Sequence, residues 1–226
     1  MDIQLHYSEQ GTGQPLILLH GNGEDSGYFV HQIDHFSKFF HVIAIDTRGH
    51  GKSPRGEKPF TIVQFAEDLH DFMDEKGIEK AILLGFSDGG NIALTFTLKY
   101  PERVEKLIVD GANLFPSGVK PLYQWPIEFG YRIAKLFSKK SEKAKRNAEM
   151  LGLMVNEPHI EPSELSHLTM PVLVVAGTKD MIKYSHTRLI YKNLPNAQLS
   201  IIDGDHFVAN KNADAFNKVV DEFLRK

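Results

Sequence analysis

The part of this chain best equipped for chemistry is a serine in a glycine-rich turn, with a histidine and several aspartates downstream. The turn is Gly85-Phe86-Ser87-Asp88-Gly89-Gly90. The apolar run Ala81-Ile82-Leu83-Leu84 precedes it, and a helix-length apolar segment over residues 91–98 follows, ended by Tyr100-Pro101. Gly-x-Ser-x-Gly between a buried strand and a helix reads as a nucleophile elbow, so tight that its flanking positions need glycine. The bare pattern also fits an ordinary turn serine; the strand and helix around it favour the elbow.

A serine hydroxyl attacks well only when a base takes its proton and a third group holds that base. His206, in Asp203-Gly204-Asp205-His206-Phe207, follows the last predicted strand and precedes the last predicted helix, where such a base belongs. Ten other histidines lack that placement; His31 and His35 stand i,i+4 but without a His-Glu-x-x-His pattern or a third metal ligand. For the orienting acid, Asp180 follows the apolar run 172–176 and gives the order serine, acid, histidine. Asp110, at the end of the preceding strand, is its rival. Asp203 and Asp205 lie too near His206 along the chain and shape its loop instead. A developing oxyanion also needs donors. The backbone N–H of Asp88 is one candidate. The other is the N–H of Asn22 in Leu19-His20-Gly21-Asn22-Gly23, a loop that otherwise reads as a plain turn.

Asp46-Thr47-Arg48-Gly49-His50-Gly51-Lys52-Ser53 ends like a phosphate loop. It has Asp46 where that motif requires its first glycine, and no Gly-x-Gly-x-x-Gly opens a helix elsewhere. Phosphate-loop and dinucleotide sites are therefore not supported.

The elements that must position these groups alternate along the chain. Apolar runs predict strands at residues 3–7, 16–19, 42–45, 81–84, 106–109, 172–176 and 199–202. Helical patterns cover 27–39, 61–76, 89–99, 185–193 and 213–225, with Thr61 as an N-cap and Phe65, Leu69, Phe72 and Met73 as one stripe. The fold class is α/β, a mostly parallel doubly wound sheet covered on both faces. The alternation lapses over residues 113–166. A core of 1–112 and 167–226 with a small helical cap at 113–166 is expected. Residues 135–146 are strongly basic and read as the solvated face of a cap helix rather than a nucleic-acid patch.

With 226 residues, 42% hydrophobic and 24% charged, the chain suits one α/β domain. A net charge of −3 gives no reason to expect nucleic acid or an anionic membrane as partner. Residues 1–7 show no secretory pattern, and no apolar run nears the roughly 20 residues that span a bilayer. No cysteine is present, which excludes disulfides and fits a reducing compartment. The expectation is a cytoplasmic protein acting on a small molecule, with its oligomeric state open.

Taken together, His20-Gly21-Asn22-Gly23, the segment 46–53, the Ser87 elbow and the late Asp180 and His206 resemble the α/β-hydrolase fold superfamily over nearly the whole chain. The Ser-Asp-Gly-Gly form of the elbow is similar to the valacyclovir-hydrolase, or biphenyl-hydrolase-like, branch. That resemblance implies Ser87 as nucleophile, His206 as base, Asp180 as orienter, a bracing role for 46–53, and no cofactor or metal. Serine at the elbow, where dehalogenases and epoxide hydrolases carry aspartate, argues against their chemistry. Asp88 has two readings: a carboxylate that disfavours anionic substrates and receives an amine, or a cap on the elbow helix. The cap-region aromatics Phe115, Tyr123, Trp125, Phe129 and Tyr131 either line an acyl pocket, Trp125 foremost, or anchor the cap.

The expected function is a serine hydrolase of a small carboxylic ester or related acyl compound, working through an acyl-enzyme. Thioesterase, carbon–carbon bond hydrolase, lactonase and perhydrolase chemistry would use the same residues. A non-catalytic small-molecule sensor on this shell is the rival of a different class.

Overall fold

Short apolar runs that are buried over almost every residue can only be strands covered on both faces. That is the state of β2 (Pro15–Leu19), β3 (His41–Ile45), β4 (Ala81–Phe86), β5 (Val104–Asp110) and β6 (Val172–Gly177) in the computed structural model, which describes residues 2–226. With β1 (Tyr7–Gln10) and β7 (Ala197–Ile202) they make one sheet in the order β1-β3-β2-β4-β5-β6-β7. All neighbours are parallel except β1 and β3. The helices are α1 (Val30–Phe36), α2 (Ile62–Glu75), α3 (Asp88–Lys99), α4 (Pro121–Phe137), α5 (Glu142–Asn156), α6 (Tyr184–Asn193), α7 (Val208–Lys211) and α8 (Ala213–Leu224). The predicted doubly wound α/β sheet is the fold observed.

Alternate strand residues feed two cores. Ile17, Leu19, Ile43, Leu83 and Val109 pack under α2, α3 and α6, while Leu16, Leu18, Val42, Leu84 and Val175 pack under α1 and α8. The chain winds from β2 outward to β3 and then returns past β2 to β4, so strand order reverses between β2 and β4. A reversal of this kind opens a crevice at the carboxyl ends of the two strands. Leu19 stands level with Gly85 there, and Phe86 with Asp110.

Three sequence expectations shift. The first strand is residues 7–10 rather than 3–7, because β1 is a polar edge strand with no apolar run, while Leu5 is buried outside the ladder. The helix expected at 27–39 is a 3₁₀ turn followed by α1, ending at Phe36. The basic stretch 135–146 is not one helix face. It crosses the end of α4 and the start of α5, where the Ser141 side chain caps the new helix by accepting from Ala144 N–H. Thr61 caps α2 as expected, accepting from Gln64 N–H at 3.1 Å.

Between β5 and β6 lie α4 and α5, packed on each other as a helical hairpin, with Gly130 against Leu151 and Gly152 against Tyr131. Among the described residues no helix is long and apolar enough to cross a membrane.

Segment 46–53 braces the site end of the sheet. The Asp46 carboxylate accepts from the N–H groups of Ser26 and Lys52 and pairs with His6 at 2.9 Å. Arg48 is fully buried and forks onto Asp68 at 2.6 and 2.7 Å and onto Asp2 at 2.6 Å. Removing one side of a buried pair strands the other charge, at a cost of about 3 kcal/mol. Asp68→Ala is therefore expected to lower unfolding free energy by about that amount in urea titration; an unchanged midpoint would mean Asp2 alone satisfies the guanidinium.

Candidate active site

Ser87 follows β4 and begins the turn into α3 with φ +52° and ψ −120°, the single non-glycine positive φ among the described residues. Its N–H donates to the Asp110 carbonyl at 2.8 Å, and its own carbonyl accepts from Asn91 N–H at 3.0 Å. The flanking glycines are dictated by backbone crowding. A Cβ on Gly85 would lie 2.2 Å from the Gly89 carbonyl oxygen, and one on Gly89 would lie 1.9 Å from that of Leu19. The hydroxyl is thereby pushed out over the strand ends.

The loop after β7 brings His206 to it. His206 Nε2 lies 3.0 Å from Ser87 Oγ, and His206 Nδ1 lies 2.7 Å from Asp180 Oδ1. An ionised carboxylate only accepts, so Nδ1 carries the proton and Nε2 presents its lone pair to the serine hydroxyl. Asp180 is fixed in turn by Ile182 N–H at 2.8 Å and Gly177 N–H at 3.3 Å. The structure thus brings Ser87, His206 and Asp180 together in a line of hydrogen bonds.

Asp110 stands apart. Both its carboxylate oxygens are buried without a hydrogen-bond partner, and burial, with the nearby Asp180 charge second, holds its pKa well above the usual range. What it contributes to the elbow is the backbone carbonyl that receives Ser87 N–H.

Asn22 and Asp88 meet directly: Asn22 Nδ2 donates to Asp88 Oδ2 at 2.9 Å and to the Met150 carbonyl of α5 at 2.8 Å. The second Asp88 oxygen accepts from Asn91 Nδ2 at 3.1 Å. Asp88 does stand in the first turn of α3, where a carboxylate suits the helix dipole, but it accepts from two side-chain amides rather than from a first-turn N–H. Burial raises its pKa. Neither the Asn22 nor the Asp88 backbone N–H has a hydrogen bond to protein among the described residues. The Asn22 loop is shaped by His20, whose Nδ1 donates to the Gly21 carbonyl at 2.7 Å while Nε2 accepts from Thr47 N–H at 3.0 Å. Burial lowers the His20 pKa, in keeping with that neutral tautomer.

Trp125 is not brought to this group. It lies on the solvent face of α4, 71% exposed, because the inner face of that helix is taken by Gln124 and Ala134. The aromatic residues beside the site are ones the sequence did not single out. Phe86 stacks on Tyr28 at 4.4 Å between centroids and tilts against His206 at 4.9 Å. Glu24 was missed as well. Its carboxylate accepts from Gly21 N–H at 3.2 Å, and burial pushes its pKa up to about 7, with the His206 charge acting the other way. Its signal was an acid two residues beyond Asn22, in a loop already marked by its glycines.

A family model described as the α/β hydrolase fold matches residues 14–147. The human serine hydrolase BPHL is 30% identical, the alignment covering 99% of this chain and 84% of the relative. A 2-hydroxy-6-oxononadienedioate/2-hydroxy-6-oxononatrienedioate hydrolase of Burkholderia vietnamiensis is 30% identical over 100% of this chain and 92% of its own. Among solved structures, an enol-lactonase from Burkholderia xenovorans superposes with a TM-score of 0.83 at 22% identity, covering 99% of this chain and 97% of that one. The family resemblance read from the four motifs is borne out.

Glu24 also carries a stability consequence. Its folded pKa of about 7 exceeds the ordinary value of 4.5, so the stability it contributes is complete below 4.5 and is lost as pH rises through about 7. Glu24→Gln is expected to abolish this slope and to gain on wild type above neutrality, read as urea midpoints at acidic and alkaline pH. Parallel midpoints for the two proteins would show that Glu24 is solvated like a surface acid.

Proposed function

This chain belongs to the α/β hydrolase fold family, and on that premise we propose that it is a serine hydrolase of small carboxylic esters with a neutral or amine-bearing acyl part. The observation that carries the reading is the line of hydrogen bonds from Ser87 through His206 to Asp180. In this mechanism His206 Nε2 takes the Ser87 proton as Oγ attacks the ester carbonyl, and Asp180 steadies the imidazolium that forms. The negative charge appearing on the carbonyl oxygen is received by the N–H groups of Asn22 and Asp88. Imidazolium then protonates the leaving alcohol, which departs as the acyl-enzyme forms. A water molecule, deprotonated by the same nitrogen, attacks the acyl carbonyl and returns Ser87 to its free state.

The acyl preference comes from the charge around the serine. Asp88 follows the serine in the chain, and the carboxyls of Asp88 and Glu24 both lie near enough to His206 to interact with its charge, so a carboxylate on the acyl part would add a further acid to this group. The Burkholderia vietnamiensis relative is named for a dioate, a compound with two carboxylates. The acids here point instead to neutral or cationic substrates.

A panel of p-nitrophenyl esters, from acetyl to octanoyl, with α-aminoacyl and carboxyacyl members, tests the proposal. Wild type is expected to favour neutral and amine-bearing esters. Ser87→Ala should lower kcat by a factor on the order of 10⁴–10⁶ and Asp180→Asn by about 10⁴. Asp110→Asn should retain near-wild-type turnover, because its side chain makes no hydrogen bond to Ser87, His206 or Asp180. If Asp110→Asn alone abolished turnover, the orienting role would pass to Asp110. If Ser87→Ala left it intact, the hydrolase mechanism itself would fail.

A further inference from the structure

The outward face of α4 is apolar along its whole length. Leu122, Trp125, Phe129, Ile133 and Leu136 recur at spacings of three and four residues, which places them on one stripe of the helix. A surface helix of a globular protein turns such a stripe inward. Here it faces solvent: Leu122 is 78% exposed, Trp125 71%, Phe129 67% and Leu136 75%. The opposite face is already occupied, with Gln124 and Ala134 buried against the rest of the hairpin. None of the described residues covers the stripe, and an apolar patch of this kind marks an interaction surface.

Charge identifies what covers it. Arg132, Lys135 and Lys139 are exposed and recur at the same spacings along one edge of the stripe, and Lys143, Lys145 and Arg146 continue the exposed cationic surface onto α5. Residues 120–146 carry eight lysines and arginines against two glutamates, a net +6 in a chain whose total is −3. A cationic edge beside an apolar stripe that includes Trp and Phe is the pattern of a helix lying in the interface of an anionic bilayer. α4 is too short and too charged at its edges to span one, so it would rest on the surface. A symmetric contact between two copies would press one +6 hairpin against another, which like-charge repulsion opposes. We propose that the α4 face docks this protein on anionic phospholipid surfaces, with the apolar stripe in the acyl-headgroup boundary and the basic edge among the headgroups.

The hairpin is held firmly enough to act as a platform. Arg55 forks onto Glu149 of α5 at 2.7 and 3.0 Å, and Asn22 reaches the Met150 carbonyl. Docking therefore would not require the helices to unfold.

The full chain carries its own reporter, since Trp125 is its single tryptophan and sits in the stripe. Emission is recorded while vesicles of phosphatidylcholine containing phosphatidylglycerol are added, with pure phosphatidylcholine vesicles in parallel. The expected result is a blue shift and loss of acrylamide quenching with the anionic vesicles only, reversed by salt. Leu122→Glu/Leu136→Glu should abolish the shift while retaining the wild-type urea midpoint. Lys135→Ala/Lys139→Ala should weaken vesicle binding roughly thirtyfold. No shift with anionic vesicles overturns the proposal, as does equal binding to both vesicle types. A tryptophan already blue-shifted without lipid, in a protein that sediments as a dimer and becomes monomeric in Leu136→Glu, would assign the stripe to a second copy instead.

Discussion

The backbone of Ser87 is the constraint on which the rest of the site depends. A non-glycine residue at φ +52° and ψ −120° is strained by roughly 1–3 kcal/mol and persists only where its surroundings over-determine it. Here they do so from both sides. The residue before the helix is clamped by hydrogen bonds to β5 and to the second turn of α3, through Asp110 and Asn91. The close approach of Gly89 to Leu19 then locks the start of α3 against the end of β2. These contacts require β2, β4 and β5 to end level with one another, which the parallel register supplies. The sheet order, with its reversal at β2 and β4, is thus the means by which one strained residue is held in place and exposed.

Around that residue, carboxyl groups with the same intrinsic chemistry are set apart by environment alone. Asp180 accepts from two backbone N–H groups and from His206, Asp88 from two amides, Glu24 from one backbone N–H, and Asp110 from nothing. Donors favour the charged form of a carboxyl, and burial without them disfavours it, most strongly at Asp110. The imidazole is consequently faced by one oriented anion, although Asp110 lies close enough for its titration to feel Asp180. Along the chain Asp180 was preferred to its rival Asp110 on the order serine, acid, histidine. In space they are set apart by His206, which reaches Asp180 from another segment, while Asp110 receives no donor.

Most of the positioning frame was legible in the residues themselves. Buried parallel strands announce themselves as continuous apolar runs, and a glycine on each side of Ser87 reports backbone crowding that no side chain survives. What the chain concealed has one physical character: it depends on which surface of an element finds a partner. β1 was misplaced because an edge strand facing solvent needs no apolar run. Trp125 and its neighbours looked like pocket residues because aromatics usually find cover, whereas the inner face of α4 is filled by Gln124 and Ala134. Phe86, which tilts against His206, and Tyr28, which stacks on Phe86, are separated along the chain by more than fifty residues and meet only in the fold.

Averages hide the same kind of information. A net charge of −3 describes a molecule that would ignore an anionic surface, yet residues 120–146 carry +6 and the remainder of the chain is correspondingly acidic. Segregation of this sort gives a molecule a direction: the hairpin turns toward negative surfaces and the rest turns away. That direction has a bearing on the site, because α5 forms the inner half of the hairpin and touches the Asn22 loop through Met150. The outer half bears the exposed apolar stripe. A lipid surface seated on α4 would therefore lie one helix away from the proposed oxyanion donor, and esters dissolved in that surface would need to travel only around the edge of the hairpin to reach Ser87. The apolar face and the strained serine, far apart in sequence logic, would then act together to draw poorly soluble acyl substrates to the proposed nucleophile.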